Sequence, residues 1–142
     1  MTSPERSRLM GRVRQRGTAP ELAVRAALRD LGVHYRVNAR DLPGSPDVVN
    51  RSKRFAIFVH GCYWHRHPSC RLTTTPATNV AFWTQKFAQN EARDHRNIER
   101  LRLASFQVHV VWECETRDGV TLRANLQRFL SRSSHKTEPE RR

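Results

Sequence analysis

No apolar run in the chain approaches the roughly eighteen residues that a membrane-spanning helix needs, which excludes a helical anchor. The apolar core of a signal peptide is missing too, since the chain opens Met1-Thr2-Ser3-Pro4-Glu5-Arg6. An intracellular protein is expected, cytoplasmic and nucleoid-associated in a bacterial-type cell. Acids are scarce: Asp and Glu number 13 against 26 Lys and Arg, leaving a net charge of +13. The excess is spread along the whole length, so a polyanion, nucleic acid first, is the partner this charge fits. Cysteine is also sparse. Three thiols, an odd number, in a reducing compartment argue for metal ligands or buried thiols over disulfides. Internal repeats are absent, and 142 residues suit one domain with a single core. Residues 1–132 are assigned to that domain, with 1–17 as a basic DNA-contacting arm and 133–142 as a polar, disordered tail.

What is present is concentrated in one place. The run Phe55-Ala56-Ile57-Phe58-Val59 reads as a strand buried on both faces. It leads into His60-Gly61-Cys62-Tyr63-Trp64-His65-Arg66-His67-Pro68-Ser69-Cys70, which holds three of the seven histidines and two of the three cysteines. Around it the pattern predicts a mixed α/β domain. A short basic helix runs from Ser3 to about Val13. A second helix opens on a capping box, Thr18 with Glu21, and stops at Gly32. Strands are expected over Val33–Val37, from Asp47 through Val49, and over Gln107–Trp112. A long helix spans Asn79–Ala104, with Trp83, Phe87, Asp94, Ile98 and Leu101 on one stripe. A closing helix covers Val120–Leu130, with Leu122, Leu126 and Phe129 inward.

Several of these residues could carry chemistry. Cys62, His67, Cys70 and Cys114 supply the four ligands of a closed tetrahedral zinc site; the alternative is buried thiols and a surface histidine. His60 and His65 are then left to handle protons. Asp94 is an acid on an otherwise apolar stripe and needs a partner, for which an active-site histidine would serve. Pro46-Asp47 at a strand start resembles the first half of a metal-dependent nuclease signature, but the acid-x-lysine half is missing, with Phe58-Val59-His60 in its place. Tyr63 and Trp64 could stack on bases or cover the zinc loop. Trp83 is open to the same two readings, and Trp112 is taken as core. A zinc deaminase is disfavoured because its His-x-Glu and Pro-Cys-x-x-Cys elements are absent.

Taken in order, Leu42-Pro43-Gly44-Ser45-Pro46-Asp47, His60-Gly61-Cys62-Tyr63-Trp64-His65, Phe82-Trp83 with Asn90 and Arg93-Asp94, and Val111-Trp112-Glu113-Cys114 resemble the very short patch repair endonucleases. The likeness runs from about Ser3 through the closing helix. It implies a restriction-endonuclease-like (PD-(D/E)xK-type) fold and magnesium-dependent nicking of DNA beside the thymine of a T:G mismatch, the lesion left when 5-methylcytosine deaminates. By position it implies magnesium ligation by the Asp47 carboxylate and the Val59 main-chain carbonyl. It also implies catalytic roles for His60, His65, Asp94 and Glu21, and structural zinc on Cys62, His67, Cys70 and Cys114. Tyr63, Trp64 and Trp83, with Met10 from the minor-groove side, would wedge the mispaired step, where unstacking costs least. Glu21 is explained equally by the capping box. A monomer is expected, with mismatch-repair proteins as possible partners. Two alternatives stand beside this reading: a nuclease of the same fold with another target, and an inactive zinc-stabilised DNA-binding module.

Overall fold

Two apolar faces on one small sheet organise the molecule. The computed structural model describes residues 17–137, with side chains through Arg132. The expected Ser3–Val13 helix, and Met10 on it, lie outside the described residues. Four strands, β1 (Arg36–Val37), β2 (Val48–Asn50), β3 (Phe55–His60) and β4 (Gln107–Trp112), form a sheet in the order β1-β2-β3-β4. The first two pairings are antiparallel and the β3–β4 pairing is parallel.

Side chains alternate across a strand, so β3 feeds two cores. Phe55 and Ile57 join Val48 and Val111 under helices α1 (Ala19–Asp30) and α3 (Gly119–Thr137), where Val24, Leu28, Leu122 and Leu126 are buried. Ala56 and Phe58 join Val49 and Phe106 under α2 (Val80–Leu103), anchored by Leu101. This is why the Phe55–Val59 run is apolar throughout: a helix covers each face. Among the described residues no helix is long and apolar enough to cross a membrane.

Helix signals in the sequence are realised with three adjustments. Thr18 caps α1, its hydroxyl accepting from the Glu21 amide at 3.4 Å. Gly32, at φ +71, ends it; its amide donates to Arg29 and that of Val33 to Leu28, the Schellman pattern. That closure uses Val33, and the His34 carbonyl accepts from the Asn50 side chain. The expected Val33–Val37 strand therefore shrinks to Arg36–Val37. Helix α2 begins after Asn79, which takes a left-handed φ of 54°, a conformation asparagine tolerates. Helix α3 continues to Thr137 instead of stopping at Leu130, because no glycine or proline interrupts Val120 to Thr137.

One buried polar group in this frame is open to test. His109 on β4 stacks on Phe129, with ring centroids 4.8 Å apart, and its Nε2 is buried without a hydrogen-bond partner among the described residues. Burial, then the charge of Arg132, lowers its pKa from 6.5. The unfolded chain thus takes up this proton first as pH falls, so stability declines below about pH 6.5. His109→Phe should flatten that acid slope and, by removing an unpaired buried nitrogen, add about 1 kcal/mol. Thermal melts of both proteins between pH 5 and 8 check this; parallel slopes would show that His109 does not titrate on unfolding.

Candidate active site

The parallel register of β3 and β4 ends with His60 beside Trp112. Both chains then leave the sheet together, so Cys62 and Cys114, each two residues further on, emerge side by side. The Cys114 amide donates to Cys62 Sγ at 3.4 Å, and the Cys62 amide donates to Glu113 Oε1 at 3.3 Å. Sheet register, rather than local spacing, is what brings these distant cysteines together.

His67 and Cys70 complete the group. The ligand atoms of Cys62, His67, Cys70 and Cys114 all lie within 4.8 Å of one another. His67 Nδ1 is 3.7 Å from Cys62 Sγ and 3.5 Å from Cys114 Sγ. Tetrahedral zinc, with bonds of about 2.3 Å to sulfur and 2.0 Å to nitrogen, spaces its ligand atoms by roughly 3.5 Å. The donor set and its spacing therefore fit a metal ion. Burial pushes the Cys62 thiol up to about 12, so metal uptake has to displace its proton. Arg66 and Ser69 both hold φ of 57° within this loop, a conformation costly for residues with side chains. Thr73 ties the loop down, its hydroxyl bridging the Cys62 and His67 carbonyls at 3.2 and 2.8 Å. Arg66 adds a second rivet, donating to the Thr74 carbonyl at 2.8 Å and lying 4.0 Å over the Phe87 ring.

On the other side of Trp112 a cavity of about 420 Å³ opens between β3, α1, α2 and the Gly44-Ser45 turn. Glu21, Asp47, His60, His65 and Asp94 all line it. Asp47 precedes β2, and its Oδ2 accepts from the Val59 amide at 2.7 Å. Burial raises its carboxyl to about 6 against the pull of that hydrogen bond, and the Glu21 charge pushes the same way. Two crowded carboxylates beside a strand end favour a bound cation. Glu21 is only 5% exposed. Its Oε2 accepts from the Gly17 amide at 2.8 Å and lies 3.5 Å from Arg25. The expected capping box is half formed, since Thr18 caps the Glu21 amide while Glu21 reaches the Gly17 amide, one residue before the N-cap, and the same residue lines the cavity.

His65 Nδ1 and Asp94 Oδ2 are 2.6 Å apart. Burial opposes ionisation of Asp94 and is the largest single influence, but the His65 hydrogen bond together with the charges of His65, His60 and Arg93 outweighs it and keeps the carboxyl below its ordinary range. His60 lies flat against His65, with centroids 3.9 Å apart and planes 7° from parallel. Burial first, and His65 second, pull its pKa down to about 4, so it is a neutral imidazole near pH 7. The His60, His65 and Asp94 ligand atoms are close enough together to hold an ion. Parallel rings, however, aim their nitrogens side by side and not at one point, which suits proton handling better than a closed metal cage.

The aromatic residues gather next to this cavity. Tyr63 meets Trp64 edge-on at 4.9 Å and Phe87 at 5.4 Å. Trp64 lies 6.3 Å from Trp83, and the Asn90 side chain donates to the Trp64 carbonyl at 3.4 Å. All three rings are half-buried, so they pack on α2 and still present an outer edge. Trp112 departs from its expected place in the core. It is half-buried, stacked on His67 at 4.4 Å and edge-on to His60 at 5.3 Å. The strand ends there, so the indole fills the gap between the two centres instead of entering either core. Sequence reading also missed Ser45, Arg93 and Asn97 as cavity lining. The spacing of Asn90, Arg93, Asp94 and Asn97, one face of a helix, was the available signal.

The family described as DNA mismatch endonuclease Vsr matches residues 1–72. A type II nicking enzyme, V.XorIIP of Xanthomonas oryzae pv. oryzae, is 44% identical over 132 residues, covering 92% of this chain and 96% of the relative. The DNA mismatch endonuclease Vsr of Escherichia coli K12 is 42% identical over 112 residues, 79% of this chain and 71% of its own length. A second type II nicking enzyme, V.NmeAIP of Neisseria meningitidis, is 36% identical over 129 residues, 91% of each chain.

Proposed function

The chain belongs to the Vsr family of DNA mismatch endonucleases, and on that premise we propose that it nicks one strand beside the thymine of a T:G mismatch by magnesium-dependent hydrolysis. The observation that carries this reading is the single cavity at the end of β3 where Asp47, Glu21 and the His65–Asp94 pair converge. A restriction-endonuclease-like core agrees with the order of parts: an acid before one strand, a second strand entering the site, and helices on both faces of the sheet.

Hard oxygen donors suit magnesium, and here they are the Asp47 carboxylate and the Val59 carbonyl, with Glu21 adding charge. When bound, magnesium supplies charge neutralisation at the phosphate and at the departing oxygen. The chain does the rest. His65, held by Asp94, takes a proton from the attacking water through its remaining nitrogen. The water oxygen bonds to phosphorus, the bond to the leaving ester oxygen breaks, and that oxygen takes up a proton from solvent. His60 stays neutral and keeps the His65 ring in plane by stacking. Asp47 is fixed by the Val59 amide, so its carboxylate cannot swing out of the cavity. Cys62, His67, Cys70 and Cys114 hold structural zinc and pin the loop that carries His65.

Tyr63, Trp64 and Trp83 form the wedge. Trp64 directly precedes His65, so a base step opened by the indole brings its own phosphate to the histidine. A mispaired step unstacks most cheaply, which makes the same rings a selectivity filter.

The decisive assay uses end-labelled duplexes carrying T:G, T:A, C:G or another mismatch, each with magnesium and with chelator. Cutting of the T strand alone, at T:G alone and only with magnesium, is the expected result. Equal cutting of paired duplexes would overturn the mismatch reading. Tight T:G binding without any cut in magnesium would favour the inactive DNA-binding module.

A further inference from the structure

The cavity lining contains a cation that has no role in the chemistry described so far. Arg93 lies on α2 one residue before Asp94 and lines the same cavity. Its side chain is 54% exposed, and its Nη2 approaches Asp94 Oδ1 only to 3.9 Å, beyond hydrogen-bond range. Among the described residues the guanidinium makes no hydrogen bond, and its ion-pair partner is Asp94 at 3.9 Å, so its donors are open to a ligand.

The rest of the lining explains why a cation is required there. Three of the lining residues are acids, Glu21, Asp47 and Asp94; Arg25, outside the lining, pairs with Glu21 at 3.5 Å, and Arg93 is the one arginine or lysine among the lining residues. A phosphodiester approaching three acids is repelled unless positive charge offsets them. A bound divalent ion offsets part of this from the Asp47 side. The acid-x-lysine half of the nuclease signature, which would put a second cation on β3, is absent, and Phe58-Val59-His60 stands there. Asn97, one helical turn from Arg93 on the same face, lines the cavity as well and packs against the Gly44 turn. That contact fixes α2 relative to Asp47, and so fixes where Arg93 emerges.

The geometry points to Arg93 as a further catalytic residue: its guanidinium binds a non-bridging oxygen of the phosphate being cut and stands in, from α2, for the missing strand lysine. A planar fork matches two phosphate oxygens, and charge building on them in the transition state strengthens the contact. The proposal rests on the mismatch-endonuclease reading above, and its test separates the two.

Single-turnover nicking of a T:G duplex with enzyme in excess is compared for the unmutated chain, Arg93→Gln, Arg93→Lys and Arg96→Gln. Duplex affinity is measured in parallel in calcium. Arg93→Gln should slow the cut by roughly a hundredfold and weaken binding by no more than about threefold, the order of one phosphate contact. Arg93→Lys should recover part of the rate, a point charge replacing a fork. Arg96, exposed on the same helix and outside the cavity, controls for general attraction and should leave the saturated rate unchanged. An Arg93→Gln rate within about threefold of the unmutated chain, or a deficit that disappears at saturating enzyme, overturns the proposal alone. An unmutated chain that leaves T:G intact overturns the function reading and the proposal with it.

Discussion

Asp47→Ala should reduce T:G nicking by at least about a thousandfold while leaving affinity for the mismatched duplex within a few-fold. Loss of a metal-binding carboxylate removes several kcal/mol of charge stabilisation from the transition state, and each 1.36 kcal/mol is about tenfold in rate. The rings proposed as the wedge and the basic surface do not depend on that carboxylate, so recognition is expected to survive. Asp47 also has a structural task, accepting the Val59 amide at 2.7 Å. Alanine orphans that amide, at a cost of about 1–3 kcal/mol, so a dead Asp47→Ala protein could owe its failure to the strand end. Asp47→Asn separates the two effects. Its side-chain oxygen keeps the amide paired and loses the charge, so it should melt like the unmutated chain and still fail to cut. Nicking by Asp47→Asn at more than about a tenth of the normal rate would remove Asp47 from the metal site.

Cys114→Ser should lose its zinc and much of its stability. Cys62, Cys70 and Cys114 are all the cysteines in the chain, so thiol titration reads this centre and nothing else. The unmutated protein should carry about one zinc, with thiols shielded until a chelator is added. In Cys114→Ser the metal should be gone after dialysis and the two remaining thiols should react freely. Structural zinc contributes folding free energy directly. A loss of several kcal/mol should lower the melting temperature by about 10 °C or more for a chain of this size. Full zinc content with an unchanged melt would show that Cys114 is not a ligand. Nicking should fall together with zinc, because the loop between Cys62 and Cys70 also carries His65.

Elements with strong local signals were legible from the residues alone. Thr18, Glu21 and Gly32 mark α1 by capping chemistry, and the burial of Phe55 to Phe58 on both faces follows from an uninterrupted apolar run. Asp94 was readable as well: an acid on an apolar stripe must find a partner, and His65 is that partner. Features that depend on through-space register were not. Strand β1 is cut short because Val33 closes the preceding helix, a contest that sequence pattern cannot weigh. Trp112 follows valines on a strand and reads as core, yet it stands at the last paired position and turns to two imidazoles. Arg93 is marked in sequence only as the neighbour of Asp94 in the family motif, and its place in the cavity lining shows only when α2 is laid against the Gly44 turn. The dual service of Glu21 likewise emerges only when the end of α1 and the start of β2 face the same space.

That placement of Trp112 ties the two halves of the molecule to each other. A single indole has His67 against its face and His60 at its edge, so it stands as a party wall between the Cys/His cluster that holds the loop and the His60–His65 pair. The width of one ring is all that separates the two groups. A molecule whose Cys/His cluster is empty of metal, or whose thiols are oxidised, is then expected to hold the His60–His65 pair out of line as well. For a DNA mismatch endonuclease, such an interlock would keep half-assembled copies harmless.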